Sequence, residues 1–446
     1  MTAHIAKILE STSAIAIETA TSQKISAVII PFRAPEKQPE PEAVVDAIEP
    51  AVEISAENDN MPEALQPVAP AFGATALVER SRLTRAVEII HNAVERRNSI
   101  PILSNVAIVG HGDHLRLTGT DLDIEIAITI PAAADRQFGT TLPAHLLKDL
   151  LKKASSSDFV SVTTGEDRDA LDFERSVFNL QSLPIKDFPE LSFDAGTNSF
   201  TMRGLDFWTM IDGTIDAIST EEGRYYLNGI YFHVLNNGNR RTIAAVATDG
   251  HRLYRQEFEM PFGTDDMPGV IIPRKMAAVM HKLMKGKACP DTVTIAVTES
   301  KIRITFDDIV VTSKTIDGTF PDYQRVIPAK NSRRAMINAE ALIEGVETVS
   351  LISSERGRAV KFEMSAGKCR LIVNNPEAGN ATMEVDCDYS GDPMEVGFNA
   401  RYLISAIKDA SLSCETVTID LEDSGSPIVM TSNREGWTAV VMPMRV

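Results

Sequence analysis

The stretch Val246-Ala-Thr-Asp-Gly-His-Arg-Leu253 carries one alternating apolar run into another through a Thr-Asp-Gly step. Asp offers a short hydrogen-bonding side chain and Gly a backbone free to adopt positive φ, so a tight turn between two strands is expected. Thr118-Gly-Thr-Asp-Leu-Asp123 has the same setting 128 positions earlier, counting Asp121 to Asp249. Val373-Asn-Asn-Pro-Glu377 has it 126 positions later, counting Asp249 to Asn375. Three evenly spaced copies predict one structural unit used three times.

The flanking patterns repeat with the turns. In the first unit, Leu83, Val87, Ile90 and Val94 fall at helical spacing, which predicts a helix over 80–94. Segments 101–109 and 115–130 alternate like strands, and Pro143 opens a second helix with Leu147, Leu150, Leu151 and Ala154 inward. Strands are expected at 159–163, 170–173 and 176–183, and Phe188-Pro-Glu-Leu191 closes the unit. The second unit reads helix (205–218), strands (226–235, 242–247, 257–260), a helix opened by Pro273, then strands at 292–297, 302–306 and 310–316. Phe320-Pro-Asp-Tyr323 closes it 132 positions after Phe188. In the third, Asn338 and Asn399 are expected N-caps of two helices, with strands at 359–364 and 369–374. Runs of strands broken by single helices predict an α+β fold of antiparallel meanders rather than βαβ units. The boundaries expected are 74–197, 198–326 and 327–446.

Residues 1–73 differ. They hold 8 of the 23 prolines, and acids outnumber bases eleven to four. The part from about 35 to 71 lacks the apolar pattern that offsets ordering entropy, so a flexible acidic extension is expected there. No basic region followed by a long apolar core begins the chain, so a secretory signal is not expected.

The 446 residues carry a net charge of −18, which argues against nucleic acid unless basic side chains are gathered on one face. Three predicted helices carry basic flanks. Lys148, Lys152 and Lys153 stand off the apolar face of one predicted helix, Arg274, Lys275, Lys282 and Lys285 off another, and Arg401 and Lys408 off a third. No apolar run approaches 18 residues, so no membrane helix is expected. The four cysteines, Cys289, Cys369, Cys387 and Cys414, form no CxxC pair, which fits a reducing cytoplasm and predicts no metal site. No cofactor is expected. Asp249 and His251 invite a metal-dependent enzyme reading, but no nucleophile, third ligand or phosphate loop accompanies them. A hydrogen-bonded turn is the simpler role for Asp249.

The chain resembles the bacterial DNA polymerase III beta subunit family, the sliding clamps. The resemblance covers roughly 74–446 and rests on Ile100-Pro-Ile-Leu-Ser-Asn105, Leu117-Thr-Gly-Thr-Asp-Leu-Asp123, Arg224-Tyr-Tyr-Leu-Asn-Gly229, Ala247-Thr-Asp-Gly-His-Arg-Leu253, Ile272-Pro-Arg-Lys275, Phe320-Pro-Asp-Tyr323, Gly397-Phe-Asn399 and Val441-Met-Pro-Met-Arg445, in this order and spacing. It implies three clamp-type domains per chain and a head-to-tail homodimeric ring, sheets outside and two helices per domain inside. Duplex DNA would pass through the ring without its bases being read. The partners implied are the replicative DNA polymerase, the clamp loader and other proteins bearing a clamp-binding motif. The implied role is a non-enzymatic processivity factor. A specialised paralogue, from a mobile element or a drug-tolerant second copy, is the alternative within the family.

The resemblance also implies sites. Leu227, Thr248, Gly250, His251, Arg252, Leu253, Pro321, Arg325, Val326, Asn399, Tyr402, Val440, Met442, Pro443, Met444 and Arg445 match a pocket that takes short peptides. Apart from the resemblance, Met442 and Met444 read as part of a final core strand. Gly357, Gly425 and Pro427 depart from the family pattern at the pocket's edge. Arg97, Arg224, Tyr225 and Tyr226 match loop positions that touch DNA, with Glu221 and Glu222 weakening the local basic field. Arg175, Phe178 and Leu180 match one side of the dimer seam, Leu351 and Ile352 the other.

Overall fold

The computed structural model describes residues 72–445, apart from 97, 155–156, 194–197, 239, 265–266, 354–357 and 412–414. The first repeat comprises β1 (Thr75–Glu79), α1 (Arg80–Ile90), β2 (Asn105–His111), β3 (His114–Thr120), β4 (Ile124–Ala134), β5 (Phe138–Pro143), α2 (Ala144–Lys153), β6 (Phe159–Thr163), β7 (Arg168–Phe173) and β8 (Ser176–Gln181). The second comprises β9 (Asn198–Arg203), α3 (Gly204–Asp212), β10 (Gly229–Asn237), β11 (Arg240–Thr248), β12 (Arg252–Glu259), β13 (Val270–Pro273), α4 (Arg274–Leu283), β14 (Thr292–Val297), β15 (Lys301–Phe306) and β16 (Ile309–Lys314). The third comprises β17 (Arg333–Asn338), α5 (Ala339–Ser350), β18 (Ala359–Ser365), β19 (Gly367–Asn375), β20 (Gly379–Ser390), β21 (Met394–Asn399), α6 (Ala400–Ser411), β22 (Thr416–Leu421), β23 (Ile428–Thr431) and β24 (Trp437–Val441). Each repeat therefore reads strand, helix, four strands, helix, three strands. The expected threefold use of one α+β unit is what the chain folds into.

The three turns fall at the same place in each repeat, between the second and third of its four middle strands. Asp121 Oδ1 accepts from the N–H groups of Asp123 (2.9 Å) and Ile124 (2.8 Å), and Asp249 Oδ1 from those of His251 (2.9 Å) and Arg252 (3.0 Å). Thr120 and Thr248 each donate a hydroxyl to the carbonyl four residues on. Asn375 keeps a reduced version, accepting from Glu377 N–H at 3.0 Å. It spends its amide on the Ile352 carbonyl at 2.7 Å.

All strand pairings are antiparallel, and they form two twelve-stranded sheets that cross the repeat boundaries. β4 pairs with β16, joining first repeat to second, and β12 pairs with β24, joining second to third. The helices pack in pairs, α1 on α2, α3 on α4 and α5 on α6. Their apolar faces, such as Leu83, Val87 and Ile90 or Met276, Val279 and Met280, are buried in one large core.

The departures from expectation have local causes. α1 ends at Ile90, four residues early, because Val94 reaches the core from a turn rather than a further helical turn. The 115–130 run is two strands, split at the Asp121 turn. Residues 101–104 and 222–227 are 3-10 turns, and the helix expected over 205–218 stops at Asp212. The strand over 379–390 was not expected. Its outward alternate positions are polar, which dilutes the apolar signal. Pro143 and Pro273 sit at the N-cap, one residue ahead of the first turn. Asn338 does cap α5, accepting from Ala341 N–H at 2.9 Å, and Asn399 accepts from Arg401 N–H at 3.0 Å. The extension before Phe72 lies outside the described residues.

Candidate functional site

A cavity of about 260 Å³ opens where β11, β12 and β24 meet the 320–326 turn. Its apolar walls are Leu227, Leu253, Pro321, Val326, Val440 and Met442, with Thr248, Gly250 and Arg252 at the turn. Those nine residues were all expected there. Beneath it a small separate core holds Leu227, Val246, Leu253, Phe320, Tyr323 and Val440. Tyr231 stacks on Phe320 (5.0 Å, 9°) and on His233 (4.2 Å, 15°). The His233 ring meets the Tyr323 hydroxyl at 3.1 Å. Burial pushes His233 down to about 4 and Tyr323 up to about 12, so neither changes charge near neutrality. An aromatic stack thus lies beneath the cavity, reaching it through Tyr323.

Arg252 is the most connected side chain of the wall. It donates to the Asp249 carboxylate (3.2 Å), the Tyr254 hydroxyl (3.3 Å) and the Asp216 carbonyl, and its guanidinium lies 4.9 Å from the Tyr402 ring centre. Tyr402 also stacks with His251 at 5.8 Å and 15°. His251 and Tyr402 thus extend the wall away from the cavity itself. The carboxylate of Asp249 is taken up by two backbone N–H groups and Arg252. It acts in the turn, and among the described residues no group of three His, Cys, Asp or Glu could hold a metal ion.

The tail follows β24 as a run of hydrogen bonds rather than as a core strand. Met442 N–H donates to the His251 carbonyl (2.9 Å) and Met444 N–H to that of Gly397 (2.9 Å). Pro443, Met444 and Arg445 therefore lie along β21, beside Asn399, and not in the cavity. Arg325 points outward, paired with Asp322 at 2.7 Å. Gly425 forms part of a loop held by the Asp423 carboxylate, and the Pro427 carbonyl accepts from Asn331 at 3.4 Å. Gly357 lies outside the described residues.

Of the residues expected on DNA, Arg224 and Tyr226 line the cavity, together with the unexpected Asp322 and Tyr323. Arg224 pairs with Glu221 (2.7 Å) and donates to the Asp249 carbonyl (3.1 Å). Nothing in local spacing announces this, because the partner turn is 25 residues away. Tyr225 is exposed, and Arg97 lies outside the described residues.

A second concavity, of about 690 Å³, lies among α1, α2, α4 and the β15–β16 turn. Arg85, Lys148, Lys152, Lys282 and Lys287 line it, against Glu88 and Asp307. Of the basic side chains expected to gather, only Lys148, Lys152 and Lys282 lie here; Lys152 is paired with Glu88 at 2.9 Å and Arg85 with Asp308 at 2.7 Å. Lys275 does not join them. Its ammonium is tied to the Asp121 carboxylate and the Ala93 carbonyl (3.2 Å), linking α4 to the first repeat's turn.

At the expected seam, Leu351 is 84% exposed, a large cost for an apolar side chain without a cover. Ile352 is partly buried on the core. On β8, an edge strand, Val177 is exposed, as is Arg175 in the turn before it, while Phe178 packs edge-on to Phe173 at 5.8 Å and Leu180 is in the core. Strand alternation explains this: Leu180 points inward, and Val177, three positions away, points out.

Family models match the whole repeat region. The N-terminal domain of the DNA polymerase III beta subunit matches residues 75–192, its central domain 202–322 and its C-terminal domain 324–445. The chain belongs to the DNA polymerase III beta subunit family. It is 41% identical over 372 residues to the beta sliding clamp of Caulobacter vibrioides, covering 83% of this chain and 99% of that one. It is 32% identical over 371 residues to that of Pseudomonas putida, with the same coverage. A Caulobacter crescentus beta sliding clamp structure superposes with a TM-score of 0.80 at 40% identity, over 84% of this chain and all of that one. The Bartonella birtlesii clamp, solved bound to griselimycin, does so with a TM-score of 0.79 at 39% identity, over the same shares. The function is that of a DNA sliding clamp, and the family is one of non-catalytic processivity factors.

Proposed function

We propose that two copies of this chain close head to tail into a ring of six domains around duplex DNA. The domains are 74–197, 198–326 and 327–446. The ring tethers the replicative polymerase, the clamp loader and other proteins with a clamp-binding motif, in the cytoplasm. The observation that carries this reading is the cavity at the junction of the second and third repeats. It is apolar, with polar fixings at the turn, and of a size to take a few side chains of a short peptide. The methionine at its edge lets it adapt to different sequences.

The cationic concavity among α1, α2 and α4 supplies the DNA-facing surface, with Arg97, Arg224, Tyr225 and Tyr226 as further contacts. Such side chains attract phosphates without reading bases, which sliding requires. Arg175, Phe178, Leu351 and Ile352 mark the seam, with Leu180 supporting β8 from the core behind it, in a heterologous interface that closes after two copies. Within it Leu351 and the edge strand β8 supply the exposed apolar contact. Retention on nicked circular DNA, compared with the same DNA linearised, tests the reading. Loss from linear but not circular DNA is expected. Equal dissociation from both would overturn it.

A further inference from the structure

Tyr402, Ser405 and Asp409 fall on one face of α6, at spacings of three and four. That face meets the end of α3 and the 215–217 turn of the second repeat. Ser405 donates to Asp216 Oδ2 at 3.0 Å and receives the Tyr254 hydroxyl at 3.2 Å, and Tyr254 also reaches the Tyr402 carbonyl at 3.4 Å. The same Asp216 gives its carbonyl to Arg252. A chain of hydrogen bonds thus runs from the wall of the peptide cavity down the junction between the two repeats.

One helical turn beyond Ser405 on α6, outside that chain, is a group the cavity does not use. Asp409 Oδ2 is buried and has no hydrogen-bond partner among the described residues. The groups that face it are Asp212 at the end of α3, Asp216 in the turn, Arg252 and Tyr254 on β12, and Arg434 before β24. Asp212 is itself held by His281 of α4 (2.9 Å) and Arg434 (3.5 Å), and Arg434 donates to the Thr209 carbonyl at 2.6 Å. On α6 itself, Lys408 turns away to Glu347 at 3.1 Å. An ionised Asp409 would set a third carboxylate against two others in a partly desolvated junction. A neutral one removes that repulsion.

We propose that Asp409 is a proton-dependent positioning residue for the peptide cavity. Neutral, it closes α6 onto the 212–217 segment and holds Tyr402 against Arg252 and His251. Charged, it loosens that junction and with it the wall. Burial, then Asp216 and Asp212, push its carboxyl up to about 7, so the change falls within the working range of a cell. The proposal rests on the peptide-binding reading of the cavity and adds a regulation to it.

The test is the affinity of a rhodamine-labelled polymerase-type clamp-binding peptide, without groups that titrate near neutrality, for the full chain and its Asp409→Asn variant. Anisotropy is measured from about pH 6 to about pH 8.5, either side of the midpoint. Wild type is expected to bind about threefold or more tightly at the acid end, and Asp409→Asn to hold the acid-end affinity throughout. Parallel profiles for the two proteins would overturn the proposal, as would flat profiles for both. A variant that shifts only the melting temperature would make Asp409 a stability residue and overturn it as well. Absence of binding by wild type at every pH would overturn the peptide reading itself, a result distinct from the others.

Discussion

Leu122 and Gly250 hold the same left-handed place in two turns 128 residues apart, at φ of 80° and 88°. Glycine adopts that conformation freely, whereas leucine carries a cost that its packing on Ile102, Leu103 and Phe188 offsets. A methyl group at residue 250 would also stand 2.5 Å from the Arg224 guanidinium, which can swing aside. Gly250→Ala is therefore expected to lose about 1–2 kcal/mol, mainly from the backbone. Urea unfolding measures it, and an unchanged midpoint would refute the strain argument.

The tie between Asp121 and Lys275 predicts an acid-side dependence. Burial alone would raise the Asp121 carboxyl, but the Lys275 ammonium and the N–H groups of Ile124 and Asp123 hold it below the usual carboxylate range. A depressed carboxyl contributes stability that is present above its unfolded pKa and lost as pH falls through the folded one. Lys275→Met is expected to cost about 1–2 kcal/mol at neutral pH, a typical value for a partly buried pair losing one partner. The gap between variant and wild type should narrow as the solution is acidified below the carboxylate range. A gap that stays constant down to strong acid would place the effect elsewhere.

Removing Met442 to Val446 takes the chain back to the last residue of β24. Folding should survive, because the deleted segment follows the core strand. Peptide affinity should fall below detection, since the cavity loses the Met442 wall and the backbone anchors to His251 and Gly397. A fully buried methionine contributes roughly 1.5–3 kcal/mol, and Met442 is positioned to be covered by a ligand. Normal affinity in the truncated protein would remove the tail from the site.

Leu351→Lys separates the seam from the fold. The side chain is exposed in the single chain, so thermal unfolding of the protomer should move little. Burying an ammonium in an apolar seam costs several kcal/mol, so sedimentation should show monomers. A dimer of wild-type stability would move the seam elsewhere.

Lys148→Ala, Lys152→Ala and Lys282→Ala together should weaken DNA binding equally on unrelated sequences. They should also flatten its dependence on salt, by about one unit of slope for each phosphate that is no longer neutralised. A loss that varied strongly with base sequence would contradict a surface that does not read bases.

The repeat was legible because its turns and helix starts use local chemistry: Asp121 and Asp249 bind their own following N–H groups, and Asn338 and Asn399 cap their own helices. Nine wall residues of the cavity were legible through motif order. What sequence hid were side chains whose partners come from another repeat. Lys275 reads as one of several surface cations, yet it is spent on Asp121, 154 positions away. Arg224 and Tyr226 read as loop residues and face the cavity. Leu180 reads as an interface residue and points inward, because the phase of an edge strand is set by the sheet it joins.

The pairing of β4 with β16 and of β12 with β24 has a mechanical side. Each junction between successive repeats carries five paired positions of backbone ladder. A pull on a bound protein, passed through the cavity wall, therefore loads β12 and β24 along a hydrogen-bonded seam and not a loose linker. Tension spreads into two continuous sheets before it meets any contact made by side chains alone. In the ring proposed above these two ladders lie inside each protomer, so opening is expected at the clasp between copies and not at the links within one.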